Sequence, residues 1–177
     1  MSIAFKAMQF AREVHKDQKR KYTGNPYTDH LAEVAGILAT VTYWDRIDPE
    51  VLVATAWLHD TMEDQGVTFE QLHAVLDGCS FSAIDHVVRG VVLLSDLETG
   101  NRAERKAASR ARLAAAPGWV QTIKCADLIS NTSSIVQHDP KFAITYLEEK
   151  RALLEVLTKA DPRLHEMASK LAQKEQA

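Results

Sequence analysis

The sequence predicts an all-α chain folded as a single helical domain over residues 1–177. Three observations carry that expectation. Apolar residues recur every three to four positions along most of the chain, the period of helices with one buried face. Glycine (7) and proline (5) are scarce, so helices are long and connections short. The pair Asp-Pro recurs at Asp48-Pro49, Asp139-Pro140 and Asp161-Pro162, each setting a side-chain acceptor at an N-cap and a proline in the first helical turn.

Ile3, Ala7, Phe10 and Val14 place the first helix over residues 3–17. Lys19 to Pro26 breaks the period with Gly24, Asn25 and Pro26, and is a loop. The second helix is expected from Tyr27 to about Tyr43, burying Leu31, Val34, Ala35, Leu38 and Val41 and carrying His30 in its early part. A third opens at Asp48-Pro49-Glu50, passes through Val51-Leu52-Val53-Ala54 and ends in His59-Asp60-Thr61-Met62-Glu63-Asp64. Thr68 and Gln71 have the spacing of a capping box for a short helix through Leu76, closed by Asp77-Gly78. Residues 80–95 keep a helical period despite their β-branched content. A charged helix over 102–115 stops at Pro117-Gly118, and helices over 119–137, 140–159 and 162–174 complete the chain.

Composition excludes several classes of protein. Apolar residues make up 46% and charged residues 25%, which is ordinary for a soluble globular chain. No run approaches the roughly 18 apolar residues of a membrane span, and the amphipathic N-terminus lacks a signal-peptide core. The net charge of −3 gives no field that gathers nucleic acid. Basic residues do cluster at Lys19-Arg20-Lys21, which suits a small polyanion, and again across Arg102, Arg105, Lys106, Arg110 and Arg112, which read as a solvated helix face. Cys79 and Cys125 fit neither a CxxC metal spacing nor a disulfide framework, and read as reduced thiols of a cytoplasmic protein. Trp44, Trp57 and Trp119 are expected to pack in the core or at helix ends.

The chemistry concentrates at the end of the third helix. So many ionisable groups beside an apolar run cost several kcal/mol each if unpaired, and a divalent cation would compensate them. On a continuous helix, residues 59, 60, 63 and 64 fall within roughly half the circumference. If the second and third helices are antiparallel neighbours, His30 meets His59-Asp60. Asp127 and Asn131 share a face at i, i+4 within Lys124-Cys125-Ala126-Asp127-Leu128-Ile129-Ser130-Asn131. His30, His59, Asp60 and Asp127 form a mixed nitrogen and oxygen donor set suited to Mn²⁺, Fe²⁺ or Zn²⁺. His15, His73, His86, His138 and His165 have no partners at ligand spacing and read as surface or satisfied core histidines.

The order His30…His59-Asp60…Asp127 resembles that of the HD-domain metal phosphohydrolases. The chain is similar in particular to the alarmone hydrolases, meaning the hydrolase domains of Rel/Spo stringent-response enzymes and the small stand-alone hydrolases. The resemblance runs through Ala11…His15…Asp17-Gln18-Lys19-Arg20-Lys21, Gly24-Asn25-Pro26-Tyr27…His30…Val34-Ala35 and Ala56…Leu58-His59-Asp60-Thr61…Glu63-Asp64. It continues in Arg105-Lys106 and Ile123-Lys124-Cys125-Ala126-Asp127…Asn131. It implies an HD-type helical bundle binding Mn²⁺ through His30, His59, Asp60 and Asp127, with Glu63 and Asp64 positioning and deprotonating the attacking water. It further implies that Lys19, Arg20 and Lys21 hold the nucleotide, that Arg20 stacks on the base, and that Asn131 and Tyr146 lie at the nucleotide. The implied reaction removes the 3′-pyrophosphate of guanosine tetra- or pentaphosphate.

The chain also departs from that pattern. The basic loop is shorter by about one residue, Leu31 follows His30 where the family has proline, and Leu128 follows Asp127 where it has lysine. Residues 95–101 differ as well. The metal set is retained while the nucleotide pocket is altered. Two rival functions therefore stay open: another HD phosphohydrolase acting on a nucleoside 5′-monophosphate or a nucleotide cofactor, and a non-catalytic nucleotide-binding module. The oligomeric state is not expressed in the sequence.

Overall fold

The computed structural model describes residues 1–41 and 47–173. Among these residues the secondary structure is helical, apart from an isolated antiparallel bridge between Lys19 and Pro26. The expected ends of the second helix at Tyr43 and of the last at residue 174, and the packing of Trp44, fall outside the described residues. The chain divides into two compact units, residues 1–20 with 24–97, and residues 21–23 with 98–177.

The first unit contains α1 (Ile3–Val14), α2 (Tyr27–Leu38), α3 (Pro49–Leu58), α4 (Thr61–Gln65), α5 (Phe69–Val75) and α6 (Phe81–Leu94). Its axis is α3, which packs against α1, α2 and α6. Of its residues, Val51, Leu52, Ala54, Thr55, Ala56, Trp57 and Leu58 are buried. A helix covered on all sides needs an apolar circumference, which the run from Val51 to Leu58 supplies. Asp48 starts it as the Asp-Pro pair predicts, its carboxylate accepting from the Glu50 N–H at 2.9 Å. The facing helices present small or branched residues: Ile3, Ala7 and Ala11 on α1, and Leu31, Val34, Ala35 and Leu38 on α2.

Two expectations about α1 and α2 are corrected. Helix α1 stops at Val14, with His15 as its cap rather than a helical turn through residue 17. Helix α2 stops at Leu38 because the chain tightens there. The Thr40 and Val41 amides bond three residues back, to Ile37 and Leu38 at 3.1 and 3.0 Å, and the Thr40 hydroxyl donates to the Ile37 carbonyl at 2.7 Å. Side-chain donors that take helix carbonyls compete with the backbone ladder in this way.

The third helix also ends early. The expectation of one helix through Asp64 fails between Leu58 and Thr61, where His59 Nδ1 takes the Ala56 carbonyl and the Thr61 hydroxyl takes the Leu58 carbonyl, both at 2.7 Å. Glu63 and Asp64 therefore sit on the separate helix α4. Gly66, at φ 62°, turns the chain out of α4 in the left-handed conformation that glycine tolerates without cost. Thr68 and Gln71 close the capping box at the start of α5.

The second unit contains α7 (Arg102–Ala115), α8 (Gly118–His138), α9 (Pro140–Leu154) and α10 (Pro162–Gln173). Here α8 is the common partner of α7, α9 and α10. Asp139 and Asp161 accept from the amides of Phe142 and of Arg163 and Leu164, so the other two Asp-Pro pairs start helices as expected. Helix α9 ends at Leu154, short of the expected residue 159. The charged α7 is less free than its sequence suggests. Arg102 grips Glu149 through two bonds at 2.7 and 2.8 Å, Arg112 pairs with Glu98, and Arg105 donates to the Gly100 carbonyl.

Candidate functional site

In the first unit, α2 and the end of α3 bring His30, His59 and Asp60 together. The two imidazoles are buried and meet edge to face, with centroids 5.3 Å apart. Asp60 Oδ2 lies 3.4 Å from His30 Nε2 and 3.0 Å from His59 Nε2. The Ala56 carbonyl accepts from His59 Nδ1, so Nδ1 carries a proton and Nε2 is turned toward Asp60. At 3.0 Å an imidazole lone pair and a carboxylate oxygen repel unless a proton or a cation is shared between them. The donor chemistry thus fits a divalent metal ligated by nitrogen and oxygen.

Tyr27, which sequence reasoning passed over, belongs to this group. Its hydroxyl donates to Asp60 Oδ2 at 2.7 Å, and its ring meets His30 edge-on at 5.3 Å and stacks on His15 at 5.1 Å. The signals were its place in the Gly24-Asn25-Pro26-Tyr27 motif and at the first turn of α2, three residues before His30. Of the two readings for His15 the core one holds: it is fully buried, and burial pulls its pKa below the usual imidazole value.

One turn beyond His59 and Asp60, Glu63 and Asp64 are exposed and anchored separately. Glu63 Oε2 accepts the backbone N–H of Asp96 at 2.9 Å, and Asp64 Oδ2 accepts from Gln18 Nε2 at 2.8 Å. The Glu63 contact is to main chain, so no residue pattern at 95–101 could announce it.

The basic loop is a small hairpin held by the Lys19–Pro26 bridge, with the Arg20 N–H donating to the Asn25 carbonyl at 2.8 Å and Gly24 at φ 72° making the turn. Lys19 is exposed, while Arg20 is half-buried against Glu33 at 3.3 Å. Lys21 belongs to the second unit, where its ammonium lies 4.8 Å from the Tyr22 ring centre, 6.0 Å from that of Phe142 and 3.9 Å from Asp139.

In the second unit, Asp127 is buried on α8, as its apolar neighbours predict. Both its oxygens are engaged: Oδ1 accepts from Asn131 Nδ2 at 2.7 Å and Oδ2 from Lys124 Nζ at 2.8 Å. Asn131 thus holds the aspartate, and Lys124 is a partner that the sequence reading did not single out. Beneath this face lies Lys150, buried on α9 and donating to the Leu128 carbonyl and the Thr132 hydroxyl. Burial lowers its pKa to about 8, and burial raises that of the Cys125 thiol to about 12, so Cys125 is an inert core thiol. Tyr146 is half-buried, its ring 6.2 Å from that of Phe142.

Histidines from two helix ends and the aspartate after one of them, with a carboxylate pair on the next helix, define a helical divalent-metal domain. The chain belongs to the HD domain family, whose model matches residues 7–151. It is 28% identical over 141 residues to the guanosine-3′,5′-bis(diphosphate) 3′-pyrophosphohydrolase MESH1 of Danio rerio, covering 79% of this chain and 73% of that protein. It is 40% identical over 97 residues to the enzyme of the same activity from Vibrio cholerae, covering 55% of this chain and 12% of the relative. The solved structure of a metazoan ortholog of SpoT superposes with a TM-score of 0.82 at 21% identity, over 99% of this chain and 97% of that one, so the HD-type helical fold is shared. The chain spans 17%, 11% and 16% of the length of relatives from Synechocystis, Myxococcus xanthus and Mycobacterium leprae. No helix among the described residues is long and apolar enough to cross a membrane.

Proposed function

We propose that residues 1–177 act as one HD-type hydrolase domain that removes the 3′-pyrophosphate of guanosine tetra- and pentaphosphate, using Mn²⁺ held by His30, His59, Asp60 and Asp127. The observation that carries this reading is the convergence of His30 Nε2 and His59 Nε2 on Asp60 Oδ2, at 3.4 and 3.0 Å, one helix before Glu63 and Asp64. The names of the relatives support the choice of substrate. A cytoplasmic location belongs to the same reading.

When bound, the cation lowers the pKa of water and polarises a phosphoryl oxygen. Glu63 and Asp64 orient the attacking water and take its proton. The water oxygen bonds to the phosphorus attached to O3′, the P–O3′ bond breaks, and O3′ leaves with a proton. Pyrophosphate and GDP or GTP result. Lys19, Arg20 and Lys21 offset the phosphate charge, and Asn131 and Tyr146 line the nucleotide.

A single-turnover assay with Mn²⁺ tests the reading. The wild type releases pyrophosphate from guanosine 3′,5′-bis(diphosphate), and Asp127→Ala and Glu63→Ala each lose that activity. Retained activity in both variants refutes the assignment. Turnover confined to nucleoside 5′-monophosphates in a nucleotide panel moves the chain to another HD phosphohydrolase activity.

A further inference from the structure

Gln18 lies between two groups that the proposed function does not join: a buried histidine and the second carboxylate of the catalytic pair. Its main chain is fixed from both sides. The Gln18 N–H donates to the His15 carbonyl at 3.0 Å, and the Gln18 carbonyl accepts from the Tyr27 N–H at 2.9 Å. Its side chain is committed as well. Nε2 donates to Asp64 Oδ2 at 2.8 Å, and Oε1 accepts from Gln65 Nε2 at 2.6 Å. His15 Nδ1 meets the same Oε1.

The roles of these atoms follow from one constraint. A carboxylate only accepts, so the amide nitrogen of Gln18 must face Asp64 and its oxygen must face the other way. That oxygen then needs donors, and finds the Gln65 amide and the N–H of a neutral His15. The tautomer of His15 is thereby set with its proton on Nδ1. Its Nε2 is buried and has no hydrogen-bond partner. Placing an imidazole there is unfavourable, and the Gln18 contact together with the stack on Tyr27 offsets that cost. Gln18 thus grips consecutive residues of the five-residue helix α4, Asp64 and Gln65, from a point anchored in the core. A helix of that length does not hold its side chains by itself.

We propose that Gln18 is a positioning residue for Asp64: the His15–Gln18 pair fixes the carboxylate that orients the attacking water. The inference rests on the hydrolase reading of Glu63 and Asp64. Glu63 is held by the Asp96 amide and Asp64 by Gln18, so the two carboxylates are aimed by independent supports.

The test is Gln18→Met, which keeps the length of the side chain and removes both ends of the amide, compared with Gln18→Glu, which sets a second carboxylate against Asp64. In the wild-type background, Gln18→Met lowers kcat by about tenfold or more, since small misplacements of a reacting group cost factors of that size. KM stays within about twofold, because no substrate contact is lost. Gln18→Glu is slower still. Mn²⁺ affinity by calorimetry stays at the wild-type value, and the melting temperature of Gln18→Met falls only by the few degrees that the lost acceptor of the buried His15 accounts for. A crystal structure of metal-free Gln18→Met shows the Asp64 carboxylate displaced or in several rotamers, with His30, His59 and Glu63 unmoved. Unchanged kcat with Asp64 in place overturns the proposal. So does a fall in kcat matched by a loss of metal affinity and a larger loss of melting temperature, which marks a role in folding alone. Absence of turnover in the wild type refutes the hydrolase reading instead, and the position of Asp64 in the variant crystal then decides the role of Gln18.

Discussion

Lys150, 2% exposed on α9, donates from Nζ to the Leu128 carbonyl of α8 at 3.2 Å. It thus supports the turn that carries Asp127. Burial brings its folded-state pKa down from 10.5 to about 8. Below about 8 the ammonium is charged in the folded and unfolded chains alike, and the full cost of burying it is present. Between about 8 and 10.5 the unfolded chain binds more protons than the folded one, so stability contributed at this site rises with pH. Measured against Lys150→Met, the wild type should gain on the order of 3 kcal/mol across that window. Urea unfolding of both proteins on either side of the window checks it; a difference that does not vary with pH contradicts the buried titration.

Tyr27→Phe should weaken the metal site while leaving every ligand in place. The substitution deletes one hydroxyl, the donor to Asp60 Oδ2 at 2.7 Å, and keeps the ring between His15 and His30. Partners of metal ligands are worth about 10–100-fold in affinity or activity. A Mn²⁺ titration by calorimetry should show a loss in that range, with little change in melting temperature. Unaltered affinity would mean that Asp60 needs no support from α2.

Tyr22→Ala should act on substrate binding alone. Tyr22 donates to Asp139 Oδ2 at 3.0 Å, lies parallel to the His138 ring at 6.4 Å, and accepts at its hydroxyl from Lys21 Nζ at 3.2 Å, with the ammonium 4.8 Å from its ring centre. Without it Lys21 loses a cation–π contact and the anchor of its loop. Under the hydrolase reading, KM for the guanosine 3′-diphosphate substrate rises by roughly three- to tenfold and kcat stays within about twofold. A fall in kcat at constant KM would place Lys21 nearer to the chemistry than to the phosphates.

The outlines of this protein were readable because the signals for them are local. Asp48, Asp139 and Asp161 start helices through bonds to amides two or three residues away, and a capping box needs only Thr68 and Gln71. The apolar run Val51-Leu52-Val53-Ala54 announced a buried helix. What was missed depends on side chains that change partners. His59 and Thr61 read as helix-compatible, yet their donors take the carbonyls that a continuous helix would use. Lys150 was not singled out, because nothing local in the sequence marks a lysine for burial. Tyr27 and Gln18 were seen within a motif but had no role until Asp60 and Asp64, more than thirty residues downstream, were brought to them.

Helix α3 is enclosed on every side and delivers His59 at its tip. Such a rod has no silent positions. A change of volume anywhere from Val51 to Leu58 is transmitted lengthwise to the imidazole, because close-packed interiors relay strain rather than absorb it. The tolerance of this protein for sequence drift will be as uneven as the wetting of its helices.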